Sequence, residues 1–451
     1  SYITYIGLSI SGVIGGILVI LISLVIVFGS IPFLFTSNAV EIVYSKLSTL
    51  DGTVNCIFCN TVFASSQSRS DHPLLSYDTL TLRNIDIRSV DINSKENVLY
   101  ILGVEHKRQN NKIIDHNVIF LVDTNANKIA DKITIDDKNL NLDNILFDDK
   151  DNKLYGTGTK GIENNGKLMR TNFIYEISLL GGKNKISFNN ITTNFFPIES
   201  EDNDETGIID MDIGTNSSRI YIILNNNSII DGQNVISEEQ NQVGVRPNKT
   251  IDNRQLYVIP YGNRIVNNPQ EKVNYVLFNG IKSSDKDIVF GLNESTGENI
   301  KNYTLPGLNS RNLKMDSNKE ILFVLGDYFA YNNEIKGLSK QSELITVIDT
   351  DNNNVSHFSL GNFTIKDFIY SPSNDVLYAI TKGNMHSEQQ KSNANSLLEI
   401  NPKTGVIKDK ASIPLELNYI DINDKSQTLF IIGKDSHDDE NKILLVNVNN
   451  K

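Results

Sequence analysis

Short runs of β-branched and aromatic residues, each opened by a polar turn, recur about every fifty positions, and a fixed period of that length marks a repeat architecture. One unit reads ENVLYILG (96–103), DNKLYGTG (151–158), SSRIYIIL (217–224), KEILFVLG (319–326), NDVLYAI (374–380) and SQTLFIIG (426–433). Apolar runs this short predict buried strands. A second unit follows most of them: VIFLVDTNANKIADKITI (118–135), DIVFGLNESTGENIKNYTL (287–305), ELITVIDTDNNNVSHFSL (343–360) and SLLEINPKTGVIKDKASI (396–413). Each is two strands joined at Asp, Asn or Gly, residues that tolerate the left-handed dihedrals of a tight hairpin. A third type of strand, as in IDIRSVDI (85–92) and LNYIDI (417–422), precedes the first.

Four strands per unit at this spacing predict the blades of a β-propeller. The expected fold class is all-β, a seven-bladed β-propeller on a single N-terminal transmembrane helix. Blades start near Ile85, Asn141, Ile208, Leu256, Leu313, Ile365 and Leu417; six blades with one large insertion is the alternative. The fourth start is the least regular, because 225–254 is a long polar insertion. The last unit stops after its third strand, and an orphan strand-like segment, 76–84, precedes the first unit. Pairing the two would remove two open sheet edges and close the ring. The domains expected are therefore a membrane segment (1–37), a stalk (38–75) and a propeller (76–451) closed by strand 76–84.

The strings NDVLYAI…SLLEINPKTGVI and ELITVIDTDNNNVSHFSL resemble the YVTN type of seven-bladed, lactonase-like propeller common in archaeal cell-surface proteins, over roughly 76–451. The resemblance implies a propeller at the cell surface, and the chain departs from the family in its long inserts and irregular third and fourth blades. Lactonases on this fold use carboxylate and imidazole groups around the central channel, and no residue-by-residue match to them is found here. Fold alone does not fix function. The chain has no Trp, which disfavours the WD-repeat type.

From Ile6 to Phe35 no residue is charged, and the first charge is Glu41. A bilayer needs roughly 20 apolar residues, so this stretch predicts one transmembrane helix. Within it Gly12 and Gly16 form a GxxxG pair that lets a second helix approach. Cys56 and Cys59 make a lone CxxC in the stalk, expected as a local disulfide outside the cell, since one CxxC cannot fill a tetrahedral zinc site. The propeller is placed outside the cytoplasm. Sequons at Asn190, Asn216, Asn226, Asn248, Asn293, Asn302, Asn354 and Asn362 are glycosylation candidates.

The connections between second and third strands are long: 104–117, 159–172, 225–254, 327–342, 382–395 and 434–441. All share one face of a propeller, and long connections gathered on one rim predict a partner-facing surface. Residue 76 enters the closing strand from the opposite, short-turn face, so the stalk attaches there. His106, His116, His386 and His437 fall in one sector of that rim, near Glu105, Asp115, Asp438, Asp439 and Glu440. Imidazole with carboxylate suits a first-row metal, which makes the four histidines candidate ligands. The runs 123–127 and 349–353 lack the Gly and Glu of a calcium loop and read as hairpin turns.

The net charge of −12, with no basic stripe, argues against nucleic acid as a partner. No phosphate-cradling Gly loop, GxSxG elbow or HExxH is present, so no cofactor and no enzymatic activity are expected. The expectation is a single-pass, extracytoplasmic interaction module. Its partners would be the lipid bilayer and other membrane or envelope proteins, met through the transmembrane helix and the long-loop face. Two alternatives stand beside it. One is a subunit of a pilin-like filament or surface layer, since Ser1 directly before a long apolar segment resembles a processed pilin. The other is a metal-dependent binding module or lactonase-like enzyme using the His rim.

Overall fold

Every described element of the chain is a β-strand. The computed structural model describes residues 77–448, apart from 110–111, 136, 138, 165–166, 180–185, 191–196, 199–207, 216–218, 225–246, 252–253, 261, 280–285, 307, 330–340, 362 and 383–394. The membrane segment with Gly12 and Gly16 and the stalk with Cys56 and Cys59 lie outside the described residues. So do Asn216, Asn226, Asn362 and His386. Among the described residues no helix is long and apolar enough to cross a membrane.

A short strand, β1 (Tyr77–Leu82), comes first. Seven sheets then account for the strands. The first holds β2 (Ile85–Asn93), β3 (Val98–Gln109), β4 (Lys112–Asp123) and β5 (Lys128–Ile135). In the second, β6 (Leu140–Asp148), β7 (Lys153–Asn164) and β8 (Lys167–Leu179) are followed by β9 (Ile186–Asn190) and β10 (Pro197–Ile198), which both pair with β8. The third contains β11 (Ile208–Ile213), β12 (Arg219–Leu224), β13 (Pro247–Ile251) and β14 (Arg254–Pro260). Next comes the fourth, with β15 (Gly262–Asn268), β16 (Val273–Phe278), β17 (Ile288–Asn293) and β18 (Asn299–Thr304). The fifth has β19 (Leu308–Asp316), β20 (Ile321–Phe329), β21 (Gln341–Asp349) and β22 (Asn354–Ser359). β23 (Thr364–Ser371), β24 (Val376–Lys382), β25 (Ser396–Ile400) and β26 (Ile407–Ser412) form the sixth. The last is β27 (Glu416–Asn423), β28 (Thr428–Lys434) and β29 (Asn441–Asn447), with β1 added at its outer edge.

The innermost strands β2, β6, β11, β15, β19, β23 and β27 pack side by side in that order, and β27 returns to β2. This closed circle of radial sheets is a β-propeller. Six sheets are antiparallel throughout, and the third is the exception. There β14 runs parallel to β12, Leu256 beside Ile220, and β13 lies outside it. The sequence placed a fourth inner strand at Leu256; the inner strand of the fourth sheet begins at Gly262 instead. A parallel neighbour needs a long return crossover. β13 makes that return, running antiparallel outside β14, so an apolar string that reads like a blade start completes the preceding sheet.

The packing follows from period-two alternation. On the inner strands Val90, Ile145, Ile265, Leu313, Phe368 and Ile420 each join a core shared with the preceding sheet. The middle strands, such as β16 and β24, are buried almost end to end, because a sheet covers each of their faces. The hydrophobic core is thus a set of slabs between sheets.

Ring closure is a strand pairing. β1 runs antiparallel to β29, from Tyr77 beside Val446 to Leu82 beside Asn441. Leu82 is fully buried in the slab between the last and first sheets, beside Leu445 and Phe430. Tyr77 therefore starts at the end of β29 that lies on the short-turn face.

Two connections expected as long loops are ladders. β3 and β4 pair as far as Gln109 beside Lys112, and β7 and β8 as far as Asn164 beside Lys167. On the first of them Lys107, Arg108, Lys112, Ile113 and Asp115 are exposed, and a ladder that meets water needs no apolar alternation.

Candidate functional site at the axis of the ring

Each innermost strand carries a register shift at the same level, after Ile87, Leu142, Ile208, Gly262, Leu308, Ile365 and Leu417. A bulge of this kind bends the strand and re-aims the side chains beyond it. The glycines ending the repeated strings sit opposite: Gly103 beside Ile87, Gly158 beside Leu142 and Gly433 beside Leu417. A Cβ on Gly103 would lie 2.9 Å from the Asp86 carbonyl oxygen, and one on Gly433 2.7 Å from that of Glu416. The bulged backbone leaves room for hydrogen only.

Beyond the bulge, the residues that alternate with the core positions are polar at most places. One level holds Ser89, Asn144, Asp210, Arg264, Asn312, Asp367 and Tyr419; two residues on come Asp91, Asp212, Lys314 and Asp421. They form the inner wall, and all of the charged ones are half-buried. An innermost strand presents unpaired N–H groups toward the axis, which need acceptors. The wall supplies them. Phe147 N donates to Asp91 at 2.5 Å, Ile265 N to Asp210 at 3.0 Å, and Ile420 N to Asp367 at 3.4 Å. Each of these bonds runs from one sheet to the next. The second oxygen of Asp91, Asp210 and Asp367 accepts from its own following residue, Ile92, Met211 and Phe368. Tyr419 closes the set by donating to the Arg88 carbonyl at 3.0 Å.

Crowding perturbs these acids. Burial pushes Asp91 up to about 7, helped by the charge of Asp421 and opposed by the Phe147 and Ile92 N–H groups. Burial likewise takes Asp212 to about 7 and Asp421 to about 6, against the pull of the Ile213 N–H and of Lys314 respectively. Asp210 and Asp367 are also raised by burial, with Arg264 and Lys314 as the leading opposing charges. The bulges bring these aspartates, scattered over four strands, into one wall. The signal that could have located it is the Gly recurring at the end of the second strand.

The turns follow a second rule. A buried Asn, Asp or Ser at the end of an inner strand accepts backbone N–H bonds from two or three residues on, and the fourth residue on has positive φ. Asn93 caps toward Lys95 and Glu96, with Asn97 at φ 57°. Asn268 precedes Lys272, Asp316 precedes Glu320, Ser371 precedes Asp375 and Asn423 precedes Gln427, all four of them with positive φ. Outer hairpins obey it as well: Asp123 caps toward Asn125 and Asp349 toward Asn352. The two acidic runs are turns built by an Asx cap.

Of the four rim histidines, His106, His116 and His437 are described. Glu105 pairs with His116 and His106 with Asp115, so His106 and His116 point to opposite faces of one hairpin. His106 Nδ1 meets Asp115 at 2.7 Å and its Nε2 meets Asp86 at 2.9 Å, which occupies both ring nitrogens. These two carboxylates, Asp115 first, hold its pKa above the ordinary value. His437 bonds Asp435 at 3.1 Å and is otherwise exposed. Among the described residues no group of three His, Cys, Asp or Glu side chains is placed to hold a metal ion. Of the sequons, Asn293 spends its side-chain oxygen capping Ser295 and Thr296, whereas Asn302 and Asn354 are exposed on outer strands. Asn190 and Asn248 lie on the outlying strands β9 and β13.

No protein-family model matches the sequence, and no curated protein matches it. Among solved structures, the chain is similar to the β-propeller domain of Cps50 (Swd1) from Myceliophteria thermophila, with a TM-score of 0.51 and 12% identity, covering 82% of this chain and 100% of that one. At that identity the likeness speaks for fold alone, and the fold it agrees with is the ring built above: a β-propeller.

Proposed function

We propose that this chain is a single-pass, membrane-anchored extracytoplasmic propeller that binds other proteins of the membrane or envelope, with the third sheet counted as one of seven blades. The observation that carries it is the ring closure. Tyr77 enters β1 on the short-turn face, so the preceding segment reaches the ring there and the long connections lie on the other face. An uncharged stretch from Ile6 to Phe35 supplies the anchor. The use of the inner wall supports a scaffold over a catalyst, since its carboxylates already hold backbone N–H groups of neighbouring sheets. Propellers commonly present such a rim to protein partners. The YVTN-like strings and the open sequons on β18 and β22 fit a cell-surface setting.

The test is carbonate extraction and protease protection of the native protein, followed by light scattering of the detergent-solubilised full chain. The reading expects resistance to carbonate, protease access to the propeller from outside, and a complex of fixed mass. Release by carbonate, or a detergent-resistant polymer, would replace it with a soluble or filament-forming role.

A further inference from the structure

We propose that the axial carboxylates form a pH-responsive latch, in which proton uptake by Asp91, Asp212 and Asp421 in mildly acidic surroundings draws the inner strands together and ionisation loosens them. Asp91 on β2 faces Asp421 on β27 and the Lys314 ammonium of β19, and it holds the Phe147 N–H of β6. Asp212 lies beside Asp210 on its own strand, with the Asn267 N–H of β15 and the charge of Lys150 toward it. Asp421 faces Lys314 and Asp367 of β23. Five carboxylates thus share the axis with Lys314 and Arg264, and the acids outnumber the cations that reach them. When all ionise, like charges repel across the β2–β27 and β27–β23 boundaries and along β11.

Protonation removes that repulsion and leaves Asp91, whose two oxygens both hold N–H groups, one strong acceptor, its carbonyl oxygen. A neutral acid still accepts an N–H bond through its carbonyl oxygen, and its hydroxyl becomes a donor to an ionised neighbour. The linkage has a definite sign. These acids are raised in the folded ring, to about 7, 7 and 6, above the value of about 3.9 in an unfolded chain. The folded state therefore holds protons that the unfolded state has lost, and its extra stability fades as pH rises from about 4 through 7. His106, also raised, acts in the same direction; His357, lowered by burial, opposes it. The surface acids with depressed values, Asp137 and Asp435 among them, act only in stronger acid.

Thermal unfolding of the full chain at several pH values, with net proton release measured in lightly buffered solution, tests the latch. Unfolding at pH 6 is expected to release roughly two protons, and the melting temperature to rise by about 3–6 °C from pH 8 to pH 5. The triple variant Asp91→Asn, Asp212→Asn, Asp421→Asn should release less than one proton and lose most of that rise. If the triple variant does not fold, the single Asp91→Asn and Asp212→Asn variants should each remove roughly one proton from the release. Wild-type unfolding with no net release at pH 6, or a melting temperature that falls from pH 8 to pH 5, would overturn the proposal.

Discussion

Asn423 Nδ2 donates to Asn97 Oδ1 at 3.0 Å, a bond between inner-hairpin turns of the last and first sheets, residues 326 positions apart. It is one link of a belt that circles the short-turn face. Asn93 reaches Asn152 at 3.3 Å, Lys150 reaches the Gly214 carbonyl at 3.2 Å, and Thr215 reaches Asn267 at 3.5 Å. Gln270 then bonds Asn318, Lys319 pairs with Asp375, and Asn374 bonds Gln427. Every sheet is tied to the next through its inner-hairpin turn, and in six of the seven an Asx or Ser cap shapes that turn. Local turn chemistry and ring assembly use the same residues.

Asn423→Ala should therefore cost more than an ordinary polar truncation. It removes the link to Asn97 and also the acceptor for the Lys425 and Ser426 N–H groups, at a fully buried site. A loss of about 2–4 kcal/mol is expected from the urea unfolding midpoint. Asn423→Asp keeps the turn acceptor and loses only the donor, so it should recover about half of that. Equal losses for both would mean that the turn contributes nothing.

Ring closure by β1 predicts an aggregation phenotype. A chain beginning at Ile85 leaves the edge of β29 unpaired and uncovers the slab that Leu82 fills. Unpaired edges recruit other strands. Size-exclusion chromatography of the truncated propeller should show oligomers, and a synthetic peptide of residues 76–84 should return it to monomer. A stable monomer without the peptide would show that β1 is dispensable.

The opposing strands at each bulge make a sharp contrast between glycines. A Cβ at Gly158 would run into the Asn141 carbonyl, backbone that cannot swing aside, so Gly158→Ala should cost at least about 3 kcal/mol. Gly361 has φ +70° but open space around it, and Gly361→Ala should cost only about 1 kcal/mol for the left-handed backbone. Chemical denaturation of the two variants decides the matter. Comparable losses would remove the bulge as the reason for the recurring Gly.

What could be read in advance divides along physical lines. The Leu-Tyr and Leu-Phe strings report strands with a sheet on either side, and such burial writes itself into continuous apolar runs. The orphan segment at 76–84 was legible because the last unit visibly lacks an outer strand. The third sheet was not, because a parallel strand delivered by a crossover leaves no period to follow. The run EHKRQNNKIID reads as a loop for a related reason: a ladder wet on both faces needs no alternation. The inner wall is not legible in the sequence, since its members come from seven strands and only the shared bulge gathers them. His106 and His116 shared a stretch of sequence, yet adjacent ladder rungs send them to opposite faces.

His106 gives the last prediction its sign. Asp86 on β2 and Asp115 on β4 grip the ring from either side, so the imidazolium bridges three strands while it is charged. Its folded pKa stands above the ordinary 6.5 through those two bonds, Asp115 first. The bridge is fully present below the unfolded value and is lost as pH rises through the folded one. The site is partly exposed, so screening keeps its contribution small and local. A ring-proton NMR titration should place the His106 midpoint above 6.5, and Asp115→Asn should bring it down toward that value. Deprotonation leaves one N–H to serve two carboxylates. The end of the β3–β4 hairpin should then exchange its amide protons faster at pH 8 than at pH 6, beyond the intrinsic pH effect. His106→Gln, which never carries the charge, should lose that difference. If wild type and His106→Gln show the same corrected exchange at both pH values, the two ion pairs hold nothing in place.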